Sequence, residues 1–293
     1  MKKLAALFVF YFLALASGAS ADVAAPYSSG LLWKVEKDGV RPSYIFGTIH
    51  LSDERVTQMP EKVKLALSET KSFTMELVVD EMVRQVFLEA MFLPVSQDLQ
   101  GLIGSELYDK TARLMQQNGI PPEATKKLKP WAVLLNLTIP SAKPGVTLDN
   151  ELLHAARLQH KAVYQLEDVG EQVSVFDDIP MDTQIALLEY AVGHYAAAPD
   201  AVEKLVAAYL RQDLGAIWNI NADFMREGRE TPAYNDYFIK RVIYGRSIVM
   251  AYRMQAPLRR GEAFFAVGAM HLFGEQGVLN LLEQEGYKLT PVY

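Results

Sequence analysis

Apolar positions in this chain follow two rhythms, and the places where one gives way to the other divide it. "LLWKVEK", the turn "DGVRP" and "SYIFGTIH" (residues 31–50) are two runs rich in aromatic and branched residues around an Asp-Gly pair, which predicts a β-hairpin. "MPEKVKLALSET" predicts a helix starting near Pro60, and "KSFTMELVV" a further strand carrying Glu76. From about residue 80 to 146 the rhythm is helical, in "DEMVRQVFLEAMF", "SELYDKTARLMQQNG" and "PPEATKKLKPWAVLLNLT", punctuated by Pro and Gly. "DNELLHAARLQHK", with Asp149 placed to cap a helix, leads into the strand-like "AVYQLE". Residues 171–260 are again mainly helical. "EAFFAVGAMHL" is then an almost unbroken apolar run, as for a strand covered on both faces, followed by the helix "GVLNLLEQEG" and a last strand "YKLTPVY". The order predicts an α/β fold: a mixed-sheet core built from N- and C-terminal segments, with helical insertions near 80–146 and 171–260, in a single domain over residues 22–293.

The first 21 residues stand apart. Lys2 and Lys3, the apolar run "LAALFVFYFLALA" and "SGASA", with Ala19 and Ala21 before Asp22, have the three parts of a cleavable signal peptide. The alternative is an uncleaved membrane anchor, but the run is shorter than the roughly 17–25 residues that span a bilayer. The mature chain is thus expected to be periplasmic or secreted, without a membrane span, and its first residues, "DVAAPYSSG", to be poorly ordered. Export permits disulfides, yet the chain has no Cys, so any metal site must use His, carboxylates or neutral oxygens. With Lys2 and Lys3 removed, 27 basic residues face 35 acidic ones, and this balance argues against nucleic acid as a partner.

Within that frame one pattern occurs twice. Gly-x-x-His-Leu-x-x-Glu is written by Gly47, His50, Leu51 and Glu54, and again by Gly268, His271, Leu272 and Glu275. Each copy falls where a strand run ends, and the ends of strands in open α/β sheets are where ligands bind. The pair uses two of only five histidines; His154, His160 and His194 lie in helical stretches and read as structural. Two converging imidazoles without Cys suit a divalent metal, completed by a carboxylate. Glu76, a charge in an apolar strand, is the candidate for it, with a salt bridge to an arginine as the alternative. Glu54 and Glu275 are read either as general bases or as acidic residues of helix first turns.

These residues resemble the TraB/GumN proteins, related to the TIKI metalloproteases, whose pattern is paired Gly-x-x-His motifs, a glutamate after the first and an arginine before the second. "GTIH" and "GAMH" supply His50 and His271, "FTMEL" supplies Glu76, and "GRSIVMA" supplies Arg246. "LDNELLHAARLQHKAVYQLEDVGEQ" is similar to the family's middle segment and matches Asp149, Glu167 and Gln172. The resemblance implies a two-sheet core related to erythromycin-esterase-like folds, and metal-dependent peptide hydrolysis. The chain departs from the family where Ser247 follows Arg246 in place of Asn, and where Val78 stands in place of an acidic residue.

The reading that results is an exported hydrolase, a peptidase acting on peptides or proteins, with His50, His271 and Glu76 binding a divalent ion (Mn, Co or Zn). Glu76, Arg246 and Glu167 are its catalytic candidates: Arg246 is a partner for a carboxylate or an oxyanion, and Glu167 either orients a His or forms a structural ion pair. The competing readings are a non-catalytic protein binding a peptide or small ligand in the same cleft, and a metal-free hydrolase using Glu76 and a histidine as acid and base.

Overall fold

A computed structural model describes residues 25–138, 145–227 and 239–293; the segment read as a signal peptide lies outside them. The hairpin forms as expected, β1 (Leu32–Lys37) pairing antiparallel with β2 (Val40–Thr48) across Asp38-Gly39, where Gly39 takes the positive φ of 77° that such a turn requires. Helix α1 (Glu61–Ser68) leads to β3 (Ser72–Met75). A helical stretch follows, with α2 (Glu81–Ala90), α3 (Ser105–Gln117) and α4 (Pro130–Leu137). Helix α5 (Leu148–Leu158) feeds β4 (Ala162–Gln165), and a second helical stretch runs through α6 (Val169–Asp177), α7 (Met181–Gly193), α8 (Ala198–Leu210) and α9 (Leu214–Glu227). A π-helical turn, Lys240–Tyr244, opens directly into α10 (Gly245–Arg260); β5 (Ala263–Gly268), α11 (Val278–Gln284) and β6 (Lys288–Pro291) complete the chain.

Among the described residues the strands form one six-stranded sheet, in the order β4-β3-β5-β2-β1-β6. This corrects the two-sheet arrangement that the resemblance implied. The reason is β2: its nine residues pair antiparallel with β1 on one side and parallel with β5 on the other, so a parallel half and an antiparallel half share one strand. β5 sits at the centre of the parallel half, between β3 and β2, and Ala263 to Val267 are all buried, as its apolar run predicted. The sheet thus joins the two ends of the chain.

Two apolar cores result. The first surrounds the sheet and takes in Leu205, Val206, Tyr209 and Ile217 of α8 and α9 and Met250, Met254 and Leu258 of α10. The second is made by the helical stretches themselves: Trp131 of α4 stacks on Phe176 of α6 with ring centroids 5.1 Å apart and meets Phe87 of α2 edge-on at 5.7 Å. The two excursions are therefore packed against each other, far apart as they are in sequence. The segment before β1 is also tied down where it is described, against the expectation of poor order. Tyr27 lies edge-on to Trp33 at 5.1 Å and the Gly30 N–H donates to the Gln212 carbonyl at 2.9 Å, so apolar and backbone contacts outweigh its turn-rich composition.

Candidate functional site

Parallel pairing sets the geometry of the site. Thr48 on β2 lies beside Gly268 on β5, and Met75 on β3 lies beside Ala266, so the carboxyl ends of three neighbouring strands open at one edge. His50 follows β2 by two residues, Glu76 follows β3 by one, and His271 closes a 3₁₀ turn, Ala269–His271, directly after β5. Glu76 therefore stands at a strand end, since β3 is shorter than its apolar run suggested. Glu167 arrives from the end of β4, where its N–H donates to the Glu76 carbonyl at 2.8 Å. These groups converge on a cavity of about 40 Å³, lined by His50, Glu76, Arg246, Gly268 and His271 with apolar walls that include Ile49, Ile217, Ile243 and Met270.

Each imidazole is anchored through Nδ1. His50 Nδ1–H donates to Asp149 Oδ2 at 2.6 Å, and Thr48 Oγ1 donates to the other oxygen of that carboxylate at 2.7 Å. Asp149 corrects the sequence reading: α5 begins at Leu148 after Thr147, and Asp149 lies inside its first turn, buried and turned to His50. A long-range charged partner has displaced the local capping role. His271 Nδ1 is 2.9 Å from Ser247 Oγ, in the first turn of α10. Both rings thereby present their Nε2 side to the region around Gly268.

The third member is an ion triad. Arg246 donates from Nη2 to Glu76 Oε2 at 2.7 Å, and from Nη2 and Nε to the two oxygens of Glu167 at 2.7 and 2.8 Å. All three residues are buried. Glu76 Oε1 accepts the Gly268 N–H at 2.6 Å and lies 3.9 Å from His271 Nε2. Gln172, in the first turn of α6, donates to Glu167 Oε2 at 3.2 Å; that turn is fixed by a capping box between Asp168 and Glu171. Glu167 is thus paired with arginine and is held by Arg246 and Gln172.

Charge follows from these contacts. Burial disfavours ionised Glu76, but Arg246 and the two imidazoles outweigh it and hold its pKa down at about 2. His271 is pushed down to about 3 by burial and by the Arg246 charge, so it is neutral at ordinary pH. Burial opposes charge on His50 as well, yet the Asp149 carboxylate raises its pKa to about 9. With His50 protonated and His271 neutral, three carboxylates face two cations, a formal surplus of one negative charge that becomes two once His50 gives up its proton.

Whether a divalent ion suits these residues is answered at Gly268. A Cβ built there would stand 3.3 Å from Glu76 Oε1, 3.6 Å from His271 Cδ2 and 3.7 Å from His50 Nε2, so the missing side chain leaves a cradle facing all three. Two imidazoles and a carboxylate in a cluster of net negative charge fit a divalent ion by chemistry, with His50 giving up its proton to bind. Among the described residues no three such side chains already stand grouped to hold an ion. Ligand atoms bonded at about 2.0–2.2 Å lie roughly 3–3.5 Å apart, so the 3.9 Å between Glu76 and His271 would have to close slightly.

The remaining candidates fall elsewhere. Glu54 is exposed in the first turn of the short helix Glu54–Thr57, one of its two expected placements. Glu275 is exposed on a turn ahead of α11, whose first residue is Val278, so its expected place in a helix is corrected. Neither lines the cavity. His154 and His160 are exposed, and His194 stacks on Tyr190 at 4.0 Å. Sequence reasoning missed Thr48 and Ser247; the signal available for both was their position, at a strand's last residue and next to Arg246.

Fold and site together define the class, an α/β protein with a buried cluster of charged and imidazole groups at the carboxyl edge of its parallel strands. A sequence model of the TraB/PrgY/gumN family matches residues 31–291, and the chain belongs to that family. It is 26% identical to the metalloprotease TIKI1 of Danio rerio over 89% of this chain and 63% of the relative, and 26% identical to TIKI2 of the same organism over 89% and 60%. It is 23% identical to the uncharacterized protein YbaP of Escherichia coli (strain K12), over 83% of this chain and 89% of that one. The chain spans about three-fifths of the length of the TIKI relatives. No solved structure matches it. Among the described residues, no helix is long and apolar enough to cross a membrane.

Proposed function

We propose that this chain is an exported, divalent-metal-dependent hydrolase of peptides or proteins, with His50, His271 and Glu76 holding the ion. The observation that carries the reading is the cradle at Gly268, faced by two imidazoles and a carboxylate, in a cluster with net negative charge. Relatives named metalloproteases support the reaction class, and the N-terminal signal pattern supports a periplasmic or secreted location.

When bound, a manganese, cobalt or zinc ion supplies Lewis acidity toward the scissile carbonyl and a nucleophile at neutral pH. The residues of the chain do the rest. Asp149 and Ser247 hold the two rings by Nδ1. Glu76 is the carboxylate of the cavity wall, in position to hold the ion, whereas Glu54 and Glu275 lie outside the cavity. Arg246, with Glu167 behind it, keeps Glu76 ionised and places a fixed positive charge beside the reacting group. Ile49, Ile217, Ile243 and Met270 wall the site with apolar surface that limits access of bulk water.

The test is calorimetric titration of the chelator-treated protein with manganese, cobalt and zinc, alongside cleavage of an unstructured peptide pool. Near-stoichiometric binding and metal-dependent cleavage, both absent in His271→Ala with its circular dichroism unchanged, are expected. Metal binding without cleavage would favour a binding protein. A second reading, metal-free acid–base hydrolysis, draws on the Arg246–Glu76 pair, which already compensates the carboxylate; cleavage that survives chelation would establish it.

A further inference from the structure

We infer that Ser247 is a positioning residue that fixes His271 in one tautomer, with the proton on Nδ1 and the Nε2 lone pair turned toward Glu76 and the Gly268 cradle. The inference concerns the ring itself; only its consequence for metal affinity rests on the function proposed above.

A serine hydroxyl has one proton to give and lone pairs to offer. Ser247 Oγ donates to the Ile243 carbonyl at 2.9 Å and is also 2.9 Å from His271 Nδ1. With its proton given to Ile243, the hydroxyl faces the ring as an acceptor beside the Ile243 carbonyl, which also takes a hydrogen bond from His271, so Nδ1 carries the hydrogen. Ser247 is 0% exposed, which leaves no solvent route by which water could replace it in this role. The opposite tautomer would aim an N–H from Nε2 at Glu76 Oε1, 3.9 Å away and beyond hydrogen-bond reach. It would also leave Nδ1 and the Ile243 carbonyl competing for the one hydroxyl proton.

Local structure makes the contact possible. The π-helical turn Lys240–Tyr244 runs into α10 with the Gly245 N–H bonded to the Lys240 carbonyl, five residues back. Helical spacing then places Ser247 four residues beyond Ile243, where its hydroxyl bonds back to that carbonyl. Arg246 turns at the same point toward the two glutamates. Adjacent residues of one helical turn thus serve opposite needs: Arg246 supplies charge and Ser247 supplies orientation. An asparagine at this position could accept the same proton through its amide oxygen, so the departure from the family pattern keeps the acceptor and changes its form.

Nitrogen-15 NMR of the full chain, histidine-labelled and treated with chelator, reads the tautomer without any metal. His271 is expected to be protonated on Nδ1 in the wild type and in Ser247→Thr, and to lose that fixed state in Ser247→Ala. Calorimetry with manganese, cobalt or zinc alone is expected to show affinity about 10–100-fold weaker in Ser247→Ala, with Ser247→Thr retaining most of it. A wild-type His271 protonated on Nε2, or a Ser247→Ala protein with the wild-type tautomer, overturns the inference even if metal binds tightly. A wild type that shows the Nδ1–H tautomer, loses it in Ser247→Ala and binds none of the three ions upholds the role of Ser247 and overturns only the metal reading.

Discussion

Replacing Arg246 by methionine tests the electrostatic logic of the site most directly. One buried guanidinium compensates two buried carboxylates, Glu76 and Glu167, through three charge-assisted contacts of 2.7 to 2.8 Å. Breaking a buried pair by removing one partner costs about 3–5 kcal/mol, because the charge left behind has neither water nor a counter-ion. A second estimate comes from the escape route: a stranded carboxyl can take up a proton. Taking Glu76 from its ordinary 4.5 to neutral at pH 7 costs about 3 kcal/mol, at 1.36 kcal/mol per pH unit. The two figures agree. With a urea dependence of about 3 kcal/mol per molar, the unfolding midpoint of Arg246→Met should fall by roughly 1 M or more at pH 7.

The pH dependence separates this mechanism from simple loss of packing. In the wild type, Glu76 is held at about 2, so its contribution is present above 4.5 and is lost as pH falls through 2. In Arg246→Met the stranded carboxyl has a folded pKa above its unfolded one, so the folded state binds the extra proton and gains stability as pH falls. The destabilisation should therefore shrink between pH 7 and pH 5, by up to about 2.7 kcal/mol for one proton. Adding Glu76→Gln and Glu167→Gln should recover much of the loss at pH 7, since removing a whole buried ion group is often neutral. A destabilisation below 1 kcal/mol, or one that is the same at both pH values, would refute the reasoning.

Four further outcomes are expected. Gly268→Ala places a methyl 3.3 Å from Glu76 Oε1 and 3.7 Å from His50 Nε2; titration should show metal affinity at least tenfold weaker, with a melting temperature within a few degrees of wild type. In the chelator-treated protein, the stability supplied by His50 is complete below about 6.5 and is lost as pH rises through about 9. Thermal melts should record that alkaline decline, and Asp149→Asn should flatten it. His271, kept neutral down to about 3 when folded, makes the protein less stable as pH falls below 6.5, and His271→Gln should remove that part of the acid loss. Metal affinity should rise with pH up to about 9, because His50 must shed its proton to act as a ligand; an affinity that is flat between pH 6 and 9 would exclude His50 from the ligand set.

The strands were legible because their signals are local. The Asp-Gly turn, the doubly covered run of β5 and the helix–strand alternation each act over ten residues or fewer. What the sequence left open is adjacency. Nothing in "GTIH" or "GAMH" states that β2 and β5 pair in parallel, or that β3 flanks β5 on its other side. Residues whose role is long-range were misread for the same reason. Asp149 has the chemistry of a cap, but its oxygens are taken by His50 and Thr48, 99 and 101 residues distant. Ser247 read only as a departure from asparagine, although a hydroxyl and an amide both offer an acceptor, and its hydroxyl lies 2.9 Å from His271 Nδ1.

The repeat itself proves to be less symmetric than its letters. Gly47 and Gly268 occupy the same place in the motif but lie one register apart, since Gly47 pairs with Val267 and Gly268 with Thr48. Their reasons for being glycine differ accordingly. A Cβ on Gly47 would meet Leu272 Cδ1 at 2.7 Å and the Ala269 Cα at 3.2 Å, so the first glycine admits the turn that carries the second histidine. A Cβ on Gly268 would instead enter the space between the imidazoles and Glu76. The first glycine serves assembly, and the second leaves the space that the proposed ion would fill. Alanine should therefore separate them: Gly47→Ala should lower the melting temperature by several degrees through a clash of backbone and core. Gly268→Ala should spare the fold and empty the site, and equal effects on stability from the two would mean that the space at Gly268 is ordinary packing.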